Sequence, residues 1–270
     1  MKRGRKWLTL GLVVLALVGC EEKKESKEEK TVLKDDGKAE EIYGEMKTVV
    51  NEAGSMNIVM KADQSIVTVD MGEELETNIE VETVFTKEPA AVYEEKQYSN
   101  ALYGDFSFER YVTEAVIYDS GYLDEEGVVQ WRKSKNEEEL VIAESYQSLQ
   151  SMIDAFIPYA DSFSIEEKEN TIQLNLAVQS GKNKKLDELV KMLTENEFEE
   201  GTVKELKAEF LVEKKTFELL SFVNELAMDV ENESGKVTYE HVIDMKINQY
   251  NKVEKIDAPK SVVDQAVEVK

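Results

Sequence analysis

Residues 76–86 read ETNIEVETVFT, and this two-residue alternation recurs along much of the chain. Successive side chains of a strand point to opposite faces of its sheet. Ile79, Val81, Thr83 and Phe85 therefore share one face, with Asn78, Glu80 and Glu82 opposite. Thr171–Gln179 likewise groups Ile172, Leu174, Leu176 and Val178. Leu206, Ala208, Phe210 and Val212 stand against Glu205, Lys207, Glu209 and Glu213. In Val237–Tyr250 the shared face is Val237, Tyr239, His241, Ile243, Met245 and Ile247. Strands that are apolar on one side only belong to an antiparallel sheet with one face covered and the other in water.

The cover has to come from the remaining segments. Ala39–Glu52 places Ile42, Met46, Val49 and Val50 on one helical face, with Gly54 ending it. Glu144–Ile157 carries an apolar stripe of Leu149, Met152, Ile153, Phe156 and Ile157, stopped by Pro158. Asn183–Asn196 does the same with Leu186, Leu189, Val190 and Leu193. Further strands are expected at Met56–Ala62 and Ile66–Met71, divided at Asp63 and Gln64, and at Ala90–Ser99. Arg110–Asp119 reads as one strand, joined to Val128–Lys133 by the polar turn Asp124–Gly127. Phe217–Val230 fits a helix or a strand. Its neighbours favour a strand, leading through Asn232–Gly235 into the last one. Residues 39–260 then form one domain large enough for a stable core. The tail, residues 261–270, is expected to be loosely held from Pro259 onward. Helices on one side of many antiparallel strands make an α+β fold.

Residues 1–19 have a separate purpose. Lys2, Arg3, Arg5 and Lys6 precede the apolar run Leu8–Val18, which is much shorter than the roughly 20 residues that span a bilayer. A basic start followed by a short apolar region is the pattern of a secretory signal peptide. Leu17-Val18-Gly19-Cys20 resembles the lipobox of bacterial lipoproteins, which implies a diacylglyceryl group on the Cys20 thiol and cleavage before it. Two acyl chains anchor a protein stably where one does not. Residues 20–38 are then the lipidated cysteine and a charged tether. Its EEKKESKEEK stretch has no apolar residue to offset chain entropy, so disorder is expected. The implied location is the extracytoplasmic face of the cell membrane.

Composition limits the chemistry. One cysteine excludes a disulfide framework, and one cysteine with one histidine excludes a Cys/His metal site. A formal net charge of -24 repels phosphate backbones and argues against nucleic acid as a partner. His241 sits on the apolar phase of its strand and reads as a satisfied, partly buried side chain. Asp124-Glu-Glu-Gly127 lacks the spaced ligands of a calcium loop, and no phosphate-binding glycine motif is present. Trp131 with Tyr111, Tyr118 and Tyr122 suits packing along paired strands better than sugar stacking. No catalytic constellation or cofactor site emerges, and the expected function is non-enzymatic.

The element order, together with Tyr111–Lys133 ending in Gln-Trp131-Arg-Lys and the closing Tyr250-Asn-Lys-Val-Glu-Lys-Ile before Pro259, resembles the LolA-like lipoprotein fold. That group includes lipoprotein carriers, lipid-transfer lipoproteins and uncharacterised small lipoproteins of Gram-positive bacteria. The resemblance implies a strongly curved antiparallel sheet, a half-barrel, wrapping a few helices on its concave face. It also implies a lipid or other amphiphile held between the two layers. Strand phase selects Val81, Phe85, Leu174, Leu176, Phe210, Val212 and Ile243 as lining residues. The alternative is an envelope module with a filled core that binds another protein.

Overall fold

The computed structural model describes residues 32–33, 37–69, 72–102, 104–123, 129–136, 149–179, 186, 189–190, 201–232 and 235–269. Cys20, the leader, the tether up to residue 31 and the Asp124–Gly127 turn lie outside the described residues. Among the described residues, thirteen strands form one sheet. The first half of the chain supplies β1 (Val32–Leu33), β2 (Ser55–Thr68), β3 (Glu73–Lys87), β4 (Ala90–Asn100), β5 (Gly104–Thr113), β6 (Val116–Leu123) and β7 (Val129–Lys135). The second half supplies β8 (Ser164–Glu167), β9 (Thr171–Gln179), β10 (Gly201–Glu213), β11 (Leu219–Asn232), β12 (Gly235–Asn248) and β13 (Val267–Glu268).

Their spatial order is β1-β8-β9-β10-β11-β12-β2-β3-β4-β5-β6-β7-β13. Two antiparallel meanders, β2 to β7 and β8 to β12, are thus joined by the β12–β2 pair, and the outermost strands do not pair with each other. The sheet is open, and a sheet of this width curls.

Helices are few. α1 (Lys38–Glu52) buries Ala39, Ile42, Tyr43, Met46 and Val50, and Glu40 and Glu41 in its first turn suit the helix dipole. α2 is described over residues 149–156 and continues into a 3-10 turn at Ile157–Ser162, which has Pro158 near its start. Leu149, Ile153 and Phe156 are buried, whereas Ile157, expected on the same stripe, is exposed. α3 is described at 186, 189 and 190, and Leu186, Leu189 and Val190 are buried. α4 (Lys260–Gln265) leads into β13.

Three expectations need correction. β2 runs unbroken through Asp63 and Gln64, because β3 pairs with it from Ser55 to Thr68 and β12 from Asn57 to Thr68. Arg110–Asp119 is a hairpin of β5 and β6, so Arg110 and Asp119 face each other across it. The turn lacks glycine and proline and is held by Thr113, whose Oγ1 accepts from the Val116 N–H at 3.1 Å. The segment after Pro259 is ordered into α4, and β13 lies parallel to β7 with Val267 opposite Arg132.

At the covered end of the sheet the core is aromatic. Phe210 and Phe222 lie 4.7 Å apart, and Phe210 meets Tyr43, Phe156 and Phe163 edge-on at 5.3–5.6 Å. Tyr43 stacks on Phe163 and donates its hydroxyl to the Ile153 carbonyl. This contact joins α1 to α2 and satisfies the one polar atom that the ring brings inside. Burial pushes the Tyr43 hydroxyl far above the ordinary tyrosine range, with a further rise from Asp154.

Candidate functional site

Directly paired residues of antiparallel strands lie on the same face, so the register traces rows across the sheet. One inner-face row runs Ile165–Leu174–Phe210–Phe222–Met245–Met60–Val81–Lys96–Phe108, from β8 to β5. Its first five members are at most 4% exposed, whereas Met60, Val81, Lys96 and Phe108 are only half-buried. The row therefore passes from closed core to partly open surface without leaving the inner face. Lys96 is its only charged member.

The adjacent row behaves in the same way. It runs Leu176–Ala208–Asn224–Ile243–Ala62–Ile79–Tyr98–Phe106. It is buried as far as Ala62, half-buried at Ile79 and Tyr98, and 52% exposed at Phe106. Asn224 donates its Nδ2 to the Lys207 carbonyl at 3.0 Å, while its buried Oδ1 has no hydrogen-bond partner.

The row on the other side becomes charged beyond β3: Thr83–Glu94–Arg110–Asp119–Arg132. Arg110 Nε donates to Asp119 Oδ1 at 2.6 Å, and its guanidinium lies 5.7 Å from the Phe108 ring centroid.

The seven residues selected by strand phase divide across this gradient. Phe85, Leu174, Leu176, Phe210 and Val212 are packed in the continuous core. Val81 and Ile243 lie outside that cluster, on the two rows that open toward β4. Lys96, Phe108 and Arg110 were not selected. In β4, both Val92-Glu94-Lys96-Tyr98 and Tyr93-Glu95-Gln97 mix polar and apolar residues, so alternation does not say which set faces inward. Only pairing with β3 does.

His241 lies on the inner face opposite Leu226 and Gln64. Its ring is 5.9 Å from that of Tyr239, and Nδ1 is buried without a hydrogen-bond partner, unlike the satisfied histidine expected. Burial holds its pKa below the ordinary histidine value. On the outer face Tyr93, Tyr111 and Trp131 pack in sequence, with centroids 4.9 and 6.0 Å apart.

A polar groove of about 590 Å³ lies along β3, β4 and β5, among Asn78, Glu80, Gln97, Ser99, Asp105 and Ser107. Its carboxylates already have partners: Glu80 pairs with Lys61, and Asp105 accepts from Ser99. Among the described residues no group of three His, Cys, Asp or Glu side chains is placed to hold a metal ion. Nor is any described helix long and apolar enough to cross a membrane.

The model of a family of unknown function (DUF6612) matches residues 38–267, and the chain belongs to that family. No curated protein matches the sequence. Among solved structures the chain is similar to the Mycobacterium tuberculosis lipoprotein LppX, at 11% identity and a TM-score of 0.41 over 83% of this chain and 100% of that one. It is similar to LprF from Mycobacterium bovis at 10% identity and a TM-score of 0.37, over 83% of this chain and 98% of that one. A DUF1329 family protein from Desulfovibrio piger shares 12% identity at a TM-score of 0.26, with 79% and 92% covered.

Proposed function

We propose that this protein is a lipoprotein anchored through Cys20 on the extracytoplasmic face of a membrane, and that it binds an apolar or amphiphilic, lipid-like ligand without catalysing a reaction. The observation that carries this reading is the exposure gradient on the inner face. Two adjacent apolar rows leave the closed core and become half-buried at Met60, Val81, Ile79 and Tyr98. Half-buried apolar side chains continuous with a core offer a ligand the same favourable burial that the core already has. In this reading Val81 and Ile243 border the ligand, while Phe85, Leu174, Leu176, Phe210 and Val212 form the wall behind it.

Two measurements test the proposal. Protein purified from membranes is analysed by native mass spectrometry and solvent extraction, with a bound lipid beyond the anchor expected. The absence of both a co-purifying lipid and exchange with labelled lipid would overturn ligand binding. The anchor is tested separately: Cys20→Ser should move the protein out of the membrane fraction, and an unchanged distribution refutes lipidation there.

A second reading draws on Leu102 and Phe106, which are 71% and 52% exposed at the β4–β5 end. Exposed apolar side chains grouped at one end of a sheet suit a protein neighbour in the envelope. Cross-linking in intact cells through that end separates this reading from the first.

A further inference from the structure

Lys96 is the feature that the closed core does not explain. On its inner-face row it stands between Val81 and Phe108, with Met60 beyond Val81. Among the described residues its ammonium makes no ion pair or hydrogen bond. The nearest inner-face carboxylate along its own strand, Glu94, stands two positions away and does not pair with it. The chain as a whole carries a net charge of -24, and this half-buried ammonium still has no carboxylate partner among the described residues. A half-buried lysine lays its stem along apolar surface with its ammonium outermost, where the headgroup of an anionic amphiphile would meet it.

The neighbouring arginine narrows the choice of anion. A guanidinium meets a carboxylate or a phosphate through two parallel N–H bonds. Arg110 has its Nε on Asp119 and its face toward Phe108. Arg110 belongs to the charged row beside this one, so the cation on the apolar row itself is the single ammonium of Lys96, which complements a singly charged headgroup. The apolar side chains beside it run away from Lys96 across β3, β2 and β12 at about 4.8 Å per strand. A headgroup on Lys96 therefore places its chain over Val81 and Met60.

Resting on the ligand-binding reading above, we propose that the open part of the inner face binds a long-chain carboxylate, a free fatty acid. Its carboxylate pairs with Lys96, and its chain lies along Val81 and Met60. Binding is non-covalent, and no bond is made or broken.

The test uses the full chain in a neutral maltoside detergent with two photoactivatable probes of equal length, diazirine-palmitate and diazirine-hexadecanol. Labelled positions are mapped by mass spectrometry, and apparent affinities are read from competition with unlabelled palmitate. The expected result is palmitate labelling on β2–β5. Lys96→Gln should weaken palmitate about tenfold, the scale of a hydrogen bond to a charged group, leave hexadecanol unchanged and preserve the melting temperature. Lys96→Arg should retain most of the affinity.

If neither probe labels these strands, the ligand-binding reading itself fails. If both label equally and Lys96→Gln changes neither, the inner face binds chains without reading their charge, and only the carboxylate assignment is overturned. If a choline-headed lysophospholipid displaces the palmitate probe as well as palmitate does, selectivity for a carboxylate is refuted.

Discussion

Replacing Phe210 by alanine tests whether the inner-face row is closed at one end and open at the other. The Phe210 ring is 0% exposed and contacts Tyr43, Phe156, Phe163 and Phe222 at 4.7–5.6 Å. A buried Phe→Ala change costs about 3–5 kcal/mol, comprising lost transfer energy and the cavity left behind. Four aromatic neighbours drawn from α1, α2, the segment before β8 and β11 cannot all collapse into that cavity together. The upper half of the range, about 4 kcal/mol, is therefore expected. At about 2–4 °C per kcal/mol for a domain of this size, the melting temperature should fall by about 8–16 °C. Val81 lies on the same row four strands away, but half-buried. Val81→Ala removes two carbons at about 0.8 kcal/mol each when fully buried. Half-burial lowers the cost to about 1 kcal/mol, or about 2–4 °C. Thermal and urea unfolding followed by circular dichroism measure both variants. Equal losses would refute the gradient, and a Phe210→Ala cost below about 1 kcal/mol would refute the packed aromatic core.

Three further outcomes follow from the geometry. Glu167 is held by Lys214 at 2.5 Å and by Lys38, and Asp229 by Lys204 at 2.6 Å and Lys236 at 3.0 Å, and each is lowered to about 2. A carboxyl group depressed in the folded state contributes fully above its unfolded pKa and loses that contribution as pH falls through the folded value. The melting temperature should therefore drop between the ordinary carboxylate range and about pH 2, and Glu167→Gln with Asp229→Asn should flatten that drop. His241 is also depressed, by burial, so its contribution is present above the ordinary histidine pKa and lost as pH falls below it toward the folded value. His241→Phe should remove that part of a melting profile taken between pH 8 and 5, and an unchanged profile contradicts the burial. Ending the chain at Asp257 deletes α4 and β13 and bares the β7 edge that Val267 and Glu268 now cover. Light scattering should show self-association, and a monodisperse truncated protein would show that the edge needs no cover.

What could be read from the sequence depended on how far a segment's two faces differ. β9, β10 and β12 alternate cleanly, and their inward residues were identifiable from spacing alone. α1 was equally plain, since Ile42, Met46 and Val50 recur at helical intervals. The hairpin within Arg110–Asp119 was not legible, because its turn is held by Thr113 and Asn136 instead of by glycine or proline. For the candidate site, Val81 and Ile243 were legible as apolar inward positions, but the opening of their rows was not. Exposure depends on what lies above a strand, and the strand's own pattern does not encode that. Lys96 was invisible for a related reason: a lysine in a mixed strand reads as solvated until a partner strand fixes its face.

The topology gives these positions a place relative to the anchor proposed at Cys20. The seam between the meanders pairs Asn57 with Asn248, near opposite ends of the chain, and such distant pairing is slow to form. Each chain end then crosses to the other meander: β1 caps β8 and β13 caps β7. Two-residue edge strands of this kind leave little unpaired backbone for another sheet to extend. The N-terminal segment thus joins the sheet as β1, beside β8 at the closed end of the Phe210 row, while Lys96 lies eight strands away on β4. At about 4.8 Å per strand that is about 38 Å along the sheet. Residues 21–31, fully extended, reach at most about 40 Å. The two lengths are comparable, so an anchor at Cys20 leaves the open rows within reach of the bilayer while the closed edge is the part held to it. Deleting residues 22–30 should then hinder palmitate loading from vesicles while leaving loading from detergent unchanged. Equal loss in both would place the fault in the fold, and no loss in either would make the anchor's position irrelevant to binding.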